Sequence, residues 1–131
     1  MTNPVNYTQL LNLAKEAVVH AYAPYSDFNV GASILYESGR TYQGCNVENA
    51  SYGLTLCAER NALSNAVAAG EKSKPVMIAI VAEKRKRCYP CGACLQWINE
   101  FNRNCEIVLE DENTEPFVRM LSEFLPYTFE L

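Results

Sequence analysis

The run Val76-Met77-Ile78-Ala79-Ile80-Val81-Ala82 constrains the fold more than any other stretch of the chain. It is far shorter than the roughly 20 residues that cross a membrane. It also offers no polar alternate position, so it cannot line a sheet with one wet face. It predicts a strand buried on both sides. Such a strand needs helices above and below it, and the flanking sequence supplies them. From Thr8 to Ala21, apolar residues fall at Leu10, Leu11, Ala14, Ala17, Val18 and Ala21, the spacing of one helical face. Tyr22 to Asp27 breaks that pattern. Cys57 to Ala69 reads as a second helix closed by Gly70, and Pro90 to Phe101 as a third with proline at its start.

Further strands are expected at Val30 to Tyr36 and Thr41 to Cys45, joined as a hairpin by Glu37-Ser38-Gly39-Arg40, and at Glu106 to Glu110. The stretch from Pro116 to Pro126 reads as a short strand at Phe117-Val118, then a turn or two of helix through Leu125. The order α-β-β-α-β-α-β plus this tail predicts an α/β fold: a three-layer α/β/α sandwich on a mixed five-stranded sheet. One antiparallel hairpin and parallel later strands are expected. The 131 residues suit one domain spanning 1–131, without repeats or linkers.

With 49% apolar and 20% charged residues, the chain is neither disordered nor collagen-like. A net charge of −4 argues against nucleic acid as the main partner, because phosphate binding wants a basic surface. The first residues, MTNPVNYTQLLNLAKEAV, lack a basic segment followed by an apolar block, so no secretory signal is expected. The expectation is a cytoplasmic protein with no membrane partner.

Six cysteines are then the notable excess: Cys45, Cys57, Cys88, Cys91, Cys94 and Cys105. An even count is compatible with disulfides, but clustered cysteines in a chain that is not secreted read as metal or catalytic sites. Two segments matter, Cys57-Ala58-Glu59-Arg60 and Pro90-Cys91-Gly92-Ala93-Cys94. The C-x2-C pair puts two sulfurs on one face of a first helical turn, and Cys57 also opens a helix. Helix starts carry free N–H groups and a positive dipole end, which favour the thiolate a metal needs. Three thiolates leave one tetrahedral position of zinc open, the mark of a catalytic site. Glu59, two residues beyond Cys57, is placed to move a proton there. Arg60 can donate to the thiolates and offset their charge.

These segments match the signature of zinc nucleobase deaminases in its three-cysteine form. The chain resembles the small, zinc-dependent cytidine deaminases that assemble as homotetramers. The likeness extends through Pro24-Tyr25-Ser26, Phe28-Asn29-Val30-Gly31-Ala32, Gly44-Cys45-Asn46-Val47-Glu48-Asn49-Ala50, Tyr52 and the tail from Leu125-Pro126 to Phe129. The resemblance implies one zinc per chain on Cys57, Cys91 and Cys94, and Glu59 as the proton shuttle. It implies that Asn46 and Glu48 hold ribose hydroxyls and that Phe28 packs on the pyrimidine. The backbone of Ala58, Tyr89 and Cys91 would contact the base and the reacting group. Phe129, with Ala50 and Tyr52, would reach a neighbouring subunit's site. The implied reaction is hydrolytic deamination of cytidine and 2′-deoxycytidine. The alternative is a deaminase of modified cytosine nucleosides, N4-substituted or blasticidin S-like.

Two positions depart from the pattern. Leu95 stands where the family usually has Arg, which leaves charge compensation to Arg60. Tyr89 stands where Ser or Thr usually precedes Pro-Cys. Cys88 extends the cysteine spacing to Cys88-x2-Cys91-x2-Cys94, but position 98 is Ile, so no ferredoxin-like run results. Cys45 and Cys105 read as small buried apolar residues, and the lone His20 as structural. Lys84-Arg85-Lys86-Arg87 reads as a solvated loop.

Overall fold

The computed structural model describes residues 5–131. The element order is α1 (Tyr7–Val18), β1 (Val30–Tyr36), β2 (Thr41–Cys45), a 3-10 turn (Tyr52–Leu54), α2 (Ala58–Ala68), β3 (Pro75–Ala82), α3 (Gly92–Phe101), β4 (Glu106–Glu110), β5 (Pro116–Met120) and α4 (Leu121–Phe124). The five strands form one mixed sheet in the order β2-β1-β3-β4-β5.

The apolar run of β3 lies inside the sheet and is covered on both faces, as expected. Ile78, Ile80 and Ala82 pack with Ala58, Ala62, Leu63 and Ala66 of α2 and with Leu95 and Ile98 of α3. Ala79 and Val81 pack with Leu10, Leu11, Ala14 and Val18 of α1 on the other face. Helices on both faces of a mixed five-stranded sheet are the three-layer arrangement the sequence implied.

Two glycines set how closely the helices approach. A Cβ on Gly31 of β1 would stand 2.1 Å from the Ala14 carbonyl oxygen of α1. A Cβ on Gly44 of β2 would stand 2.5 Å from the Ala58 carbonyl oxygen and 2.4 Å from the Ala62 nitrogen of α2. None of these backbone atoms can swing aside as a side chain could. Gly44 therefore lets the first turn of α2, which carries Glu59 and Arg60, lie directly on the sheet.

The expectation of one antiparallel hairpin followed by parallel strands holds for β3 and β4 but not for β5. Among hydrogen-bonded neighbours only β3 and β4 are parallel, whereas β1 is antiparallel to both β2 and β3, and β5 is antiparallel to β4. For β5 the reason is connection length. Asp111 to Glu115 is too short for a crossover, which takes about a dozen residues. The Asp111 carboxylate caps this turn, accepting from the Asn113 and Glu115 amides at 2.8 and 2.9 Å.

Helix ends shift as well. Asn6 and Gln9 form a reciprocal capping box before α1. This helix stops at Val18 rather than Ala21 because the chain tightens into i to i−3 turns at His20 and Ala21. Tyr22 then donates its amide to Asn46 and accepts from Glu48, which ties the chain to the residues after β2. Pro90 lies outside α3, and Cys91 is its extended N-cap residue. None of the helices among the described residues is long and apolar enough to cross a membrane.

Candidate active site

Helices α2 and α3 are capped by Cys57 and Cys91, and neither cysteine makes a side-chain cap hydrogen bond. An ordinary N-cap oxygen would turn back onto the N2 or N3 amide. Here the sulfurs face one another instead. Cys94 is the third residue of α3 and sits under its N-cap, so the Cys91 and Cys94 sulfurs are 3.6 Å apart. The sulfurs of Cys57, Cys91 and Cys94 all lie within 4.8 Å of one another. A tetrahedral zinc with Zn–S bonds of about 2.3 Å would hold its sulfurs about 3.8 Å apart, so the trio fits that ion with little adjustment. All six cysteines are free of disulfides.

The electrostatics suit a metal-binding trio. The Cys57 thiol is pulled down to about 5, first by the hydrogen bond it accepts from Cys94 and then by Arg60. Arg60 Nη2 donates to Cys57 Sγ at 3.3 Å. The buried Cys94 thiol, beside the Cys57 sulfur, is pushed far up. Cys88 is not one of the clustered sulfurs. It packs against the core, and burial pushes its thiol up to about 11.

Glu59, in the first turn of α2, is 4% exposed. Burial pushes its carboxyl up to about 7, and the neighbouring Cys57 charge adds to the effect. Ala58 is fully buried at the first position of the same helix. Its amide is among the free N–H groups of a helix start.

A short backbone bridge joins this centre to the second group of expected residues. Val47 and Leu56 exchange amide hydrogen bonds of 2.9 and 3.0 Å. Because the bridge is antiparallel, Asn46 is brought alongside Cys57, and Glu48 follows on the same segment. Asn46 is 8% exposed; its Oδ1 accepts from the Val30 amide at 2.9 Å and its Nδ2 donates to the Phe28 carbonyl at 2.8 Å. Glu48 Oε1 accepts from the amides of Tyr25 and Ser26 at 2.9 and 3.1 Å, and the Ser26 hydroxyl donates to Oε2. The Ser26 hydroxyl bond is the main cause that holds the Glu48 carboxyl below the usual range. A cleft of about 420 Å³ opens here, lined by Tyr25, Ser26, Glu48, Asn49, Tyr52 and Thr55.

The remaining expected residues lie outward. Ala50 is exposed, and Tyr52 is 76% exposed with its ring edge-on to Tyr25 at 6.0 Å. Phe129 is 71% exposed. Its carbonyl accepts from Gln96 Nε2 at 2.9 Å and its amide donates to Gln96 Oε1 at 3.4 Å, which clips the tail to α3. The Tyr89 ring packs on Phe124 and Phe117, with centroids 5.8 and 6.5 Å away. Leu95 is buried in the core. Cys105 is buried as expected, but Cys45 is only half-buried and lines a groove with the exposed His20.

Sequence reasoning missed three contributors. Asn61 Nδ2 ties α2 to the Cys45 carbonyl at 2.8 Å. Gln96 holds the tail, and Ser26 holds Glu48. Only Ser26 had a signal, its place in Pro24-Tyr25-Ser26.

Residues 4–110 match the family model of the cytidine and deoxycytidylate deaminase zinc-binding region. The chain belongs to the cytidine deaminase family. It is 40% identical over 122 residues to a cytidine deaminase of Sporosarcina psychrophila, covering 92% of this chain and 89% of that one. It is 39% identical over 127 residues to a cytidine deaminase of Mycobacterium tuberculosis, covering 97% of this chain and 92% of the relative. The fold superimposes on the crystal structure of cytidine deaminase from Burkholderia pseudomallei with a TM-score of 0.87 and 42% identity, over 95% of this chain and 99% of that one. Zinc-dependent deamination of cytidine-like substrates is the chemistry of this family, and the three-cysteine cluster is consistent with the zinc site that such chemistry needs.

Proposed function

We propose that this chain, as one domain over residues 1–131, hydrolyses cytidine and 2′-deoxycytidine to uridine and 2′-deoxyuridine with release of ammonia, in pyrimidine nucleoside salvage. The observation that carries the reading is a buried carboxyl, Glu59, two residues from one of three convergent thiols. A carboxyl that desolvation keeps near neutrality can both accept and return a proton. A zinc held by Cys57, Cys91 and Cys94 would supply Lewis acidity and a water of lowered pKa.

The chain's own groups then have defined tasks. Glu59 takes a proton from the attacking water and passes it to ring N3 as C4 is attacked, and next carries the C4 hydroxyl proton to the departing amine. Atoms balance: water is consumed, the C4–N bond breaks and ammonia leaves. The backbone of Ala58, Tyr89 and Cys91 contacts the base and its reacting group. Phe28 packs on the pyrimidine, while Asn46 and Glu48 take the ribose hydroxyls. Arg60 offsets the charge of the thiolates. Phe129, Ala50 and Tyr52 complete the site of a neighbouring subunit in a homotetramer, a reading supported by their exposure in the lone chain.

The working protein is cytoplasmic and does not use nucleic acid. Pairing within the basic run supports the latter: Lys84 with Asp27, Lys86 with Glu110 and Arg87 with Glu112. A second reading, a deaminase of N4-substituted or blasticidin S-like nucleosides, draws on Tyr89. Its ring rests on Phe117 and Phe124, so this position offers no small hydroxyl to an amine. Side-by-side rates on cytidine, 2′-deoxycytidine, cytosine and an N4-methylated cytidine test both. Faster turnover of the methylated nucleoside than of cytidine would favour the second reading. Equal turnover of cytosine would remove the ribose assignments.

A further inference from the structure

Ser26 has no part in the scheme above, yet it stands between two groups that do. Its hydroxyl donates to Glu48 Oε2 and accepts from the Phe28 amide at 3.1 Å, while its own amide donates to Glu48 Oε1 at 3.1 Å. A hydroxyl has one proton to give and two lone pairs to offer, and here the proton is committed to the carboxylate. The turn that allows this is unusual. Asp27, between Ser26 and Phe28, holds φ at +57° without being glycine. Such backbone is retained where surrounding contacts impose it, and it concentrates at functional sites. The contacts are present: the Asp27 amide bonds to the Ala23 carbonyl at 3.0 Å, and its carboxylate pairs with Lys84. Asn46 grips the far side of the turn through Phe28 and Val30.

We propose that Ser26 is a positioning residue that locks the Glu48 carboxylate to the Phe28 backbone, so that sugar and base are held in one fixed relation. The proposal rests on the assignment of Glu48 to the ribose hydroxyls. Without the Ser26 hydroxyl, Oε2 loses a charge-assisted donor and the Phe28 amide loses its acceptor. The carboxylate then keeps only the Tyr25 and Ser26 amides on Oε1 and can pivot about them, which shifts Oε2 relative to the sugar.

The test uses the zinc-loaded full-length protein, unmodified and as Ser26→Ala, Ser26→Thr and Glu48→Gln, with cytidine and 2′,3′-dideoxycytidine. Ser26→Ala should raise KM for cytidine about tenfold, the low end for a hydrogen bond to a charged group, with kcat changed by less than about threefold. KM for the dideoxynucleoside should move by less than about twofold, because no ring hydroxyl remains to be misplaced. Ser26→Thr should restore the cytidine KM. An equal loss on both substrates, or a loss confined to kcat, would overturn the proposal. Should Ser26→Ala not fold, Ser26→Cys, close in volume and a weaker donor, reads the same ratio. Glu48→Gln separates the two layers. If it affects both substrates equally, the ribose assignment itself fails. If it erases the preference for cytidine while Ser26→Ala leaves that preference intact, only the role of Ser26 fails.

Discussion

Arg60 donates from Nη2 to the sulfur of Cys57 at 3.3 Å, within the first turn of one helix. Three thiolates around a divalent zinc leave one excess negative charge, and this guanidinium lies against it. Leu95, buried in the core, brings no second cation to the centre. Arg60→Gln should therefore weaken zinc binding by about 10- to 100-fold, the usual range for groups that hold a metal ligand. Competition with a chromogenic chelator measures it. Unchanged affinity would mean that the helix dipoles alone balance the charge.

The cluster geometry separates three cysteines from a fourth. Cys57→Ala, Cys91→Ala and Cys94→Ala should each abolish stoichiometric zinc, whereas Cys88→Ala should keep one zinc per chain. Elemental analysis of the purified variants decides. Zinc loss in Cys88→Ala would point to a closed four-cysteine site.

Glu59→Gln preserves size and burial but cannot carry a proton. The variant should keep its zinc and its melting temperature while losing at least ~10²-fold in turnover. Single-turnover measurement on cytidine reads the chemical step directly. Near-normal rates would remove Glu59 from the mechanism.

Glu71 is expected to contribute to acid stability away from the site. Its side chain accepts from the Ser73 hydroxyl at 2.7 Å, the Ser38 hydroxyl at 2.8 Å and the Tyr42 hydroxyl at 2.9 Å. These bonds, that from Ser73 foremost, hold its carboxyl down to about 2 against an ordinary 4.5. The folded state thus binds this proton less readily than the unfolded chain does. The stabilisation is complete above 4.5 and is lost as pH falls toward 2. Glu71→Gln should be less stable than the unmodified chain at neutral pH, with the gap closing across that window. Urea titrations of both proteins at matched pH measure the difference, in which metal loss common to the two cancels. A gap that stays constant with pH would contradict the assignment.

Phe129 tests whether sites are shared. A chain ending at Thr128 should retain zinc but turn over poorly, and Glu59→Ala should be inactive while retaining Phe129. Co-refolded, the second can lend its Phe129 to the intact zinc site of the first. Activity above the sum of the separate proteins is expected. No gain, in hybrids verified by native mass spectrometry, would mean that each site is built within one chain.

The zinc trio, Glu59 and the sheet's buried centre could be read from local sequence. Their signals are short-range: helix starts at Cys57 and Cys91, i to i+3 spacing, an unbroken apolar run. Asn46 and Glu48 stood out only through family resemblance, since strand-end polar residues have no period of their own. Strand directions beyond the hairpin, the 3.6 Å approach of Cys94 to Cys91, the seat of α2 on Gly44 and the Ser26–Glu48–Phe28 lock were decided by tertiary structure. Each depends on segments brought together from distant positions. The bridge of Val47 to Leu56 draws the Glu48 segment up to the zinc helix, and the turn through Asp27 carries Ser26 across to Glu48. Local pattern sets which residues are able to do chemistry, because propensity and periodicity act over a few residues. Their mutual distances follow from packing across the whole sheet, which no short window of sequence contains.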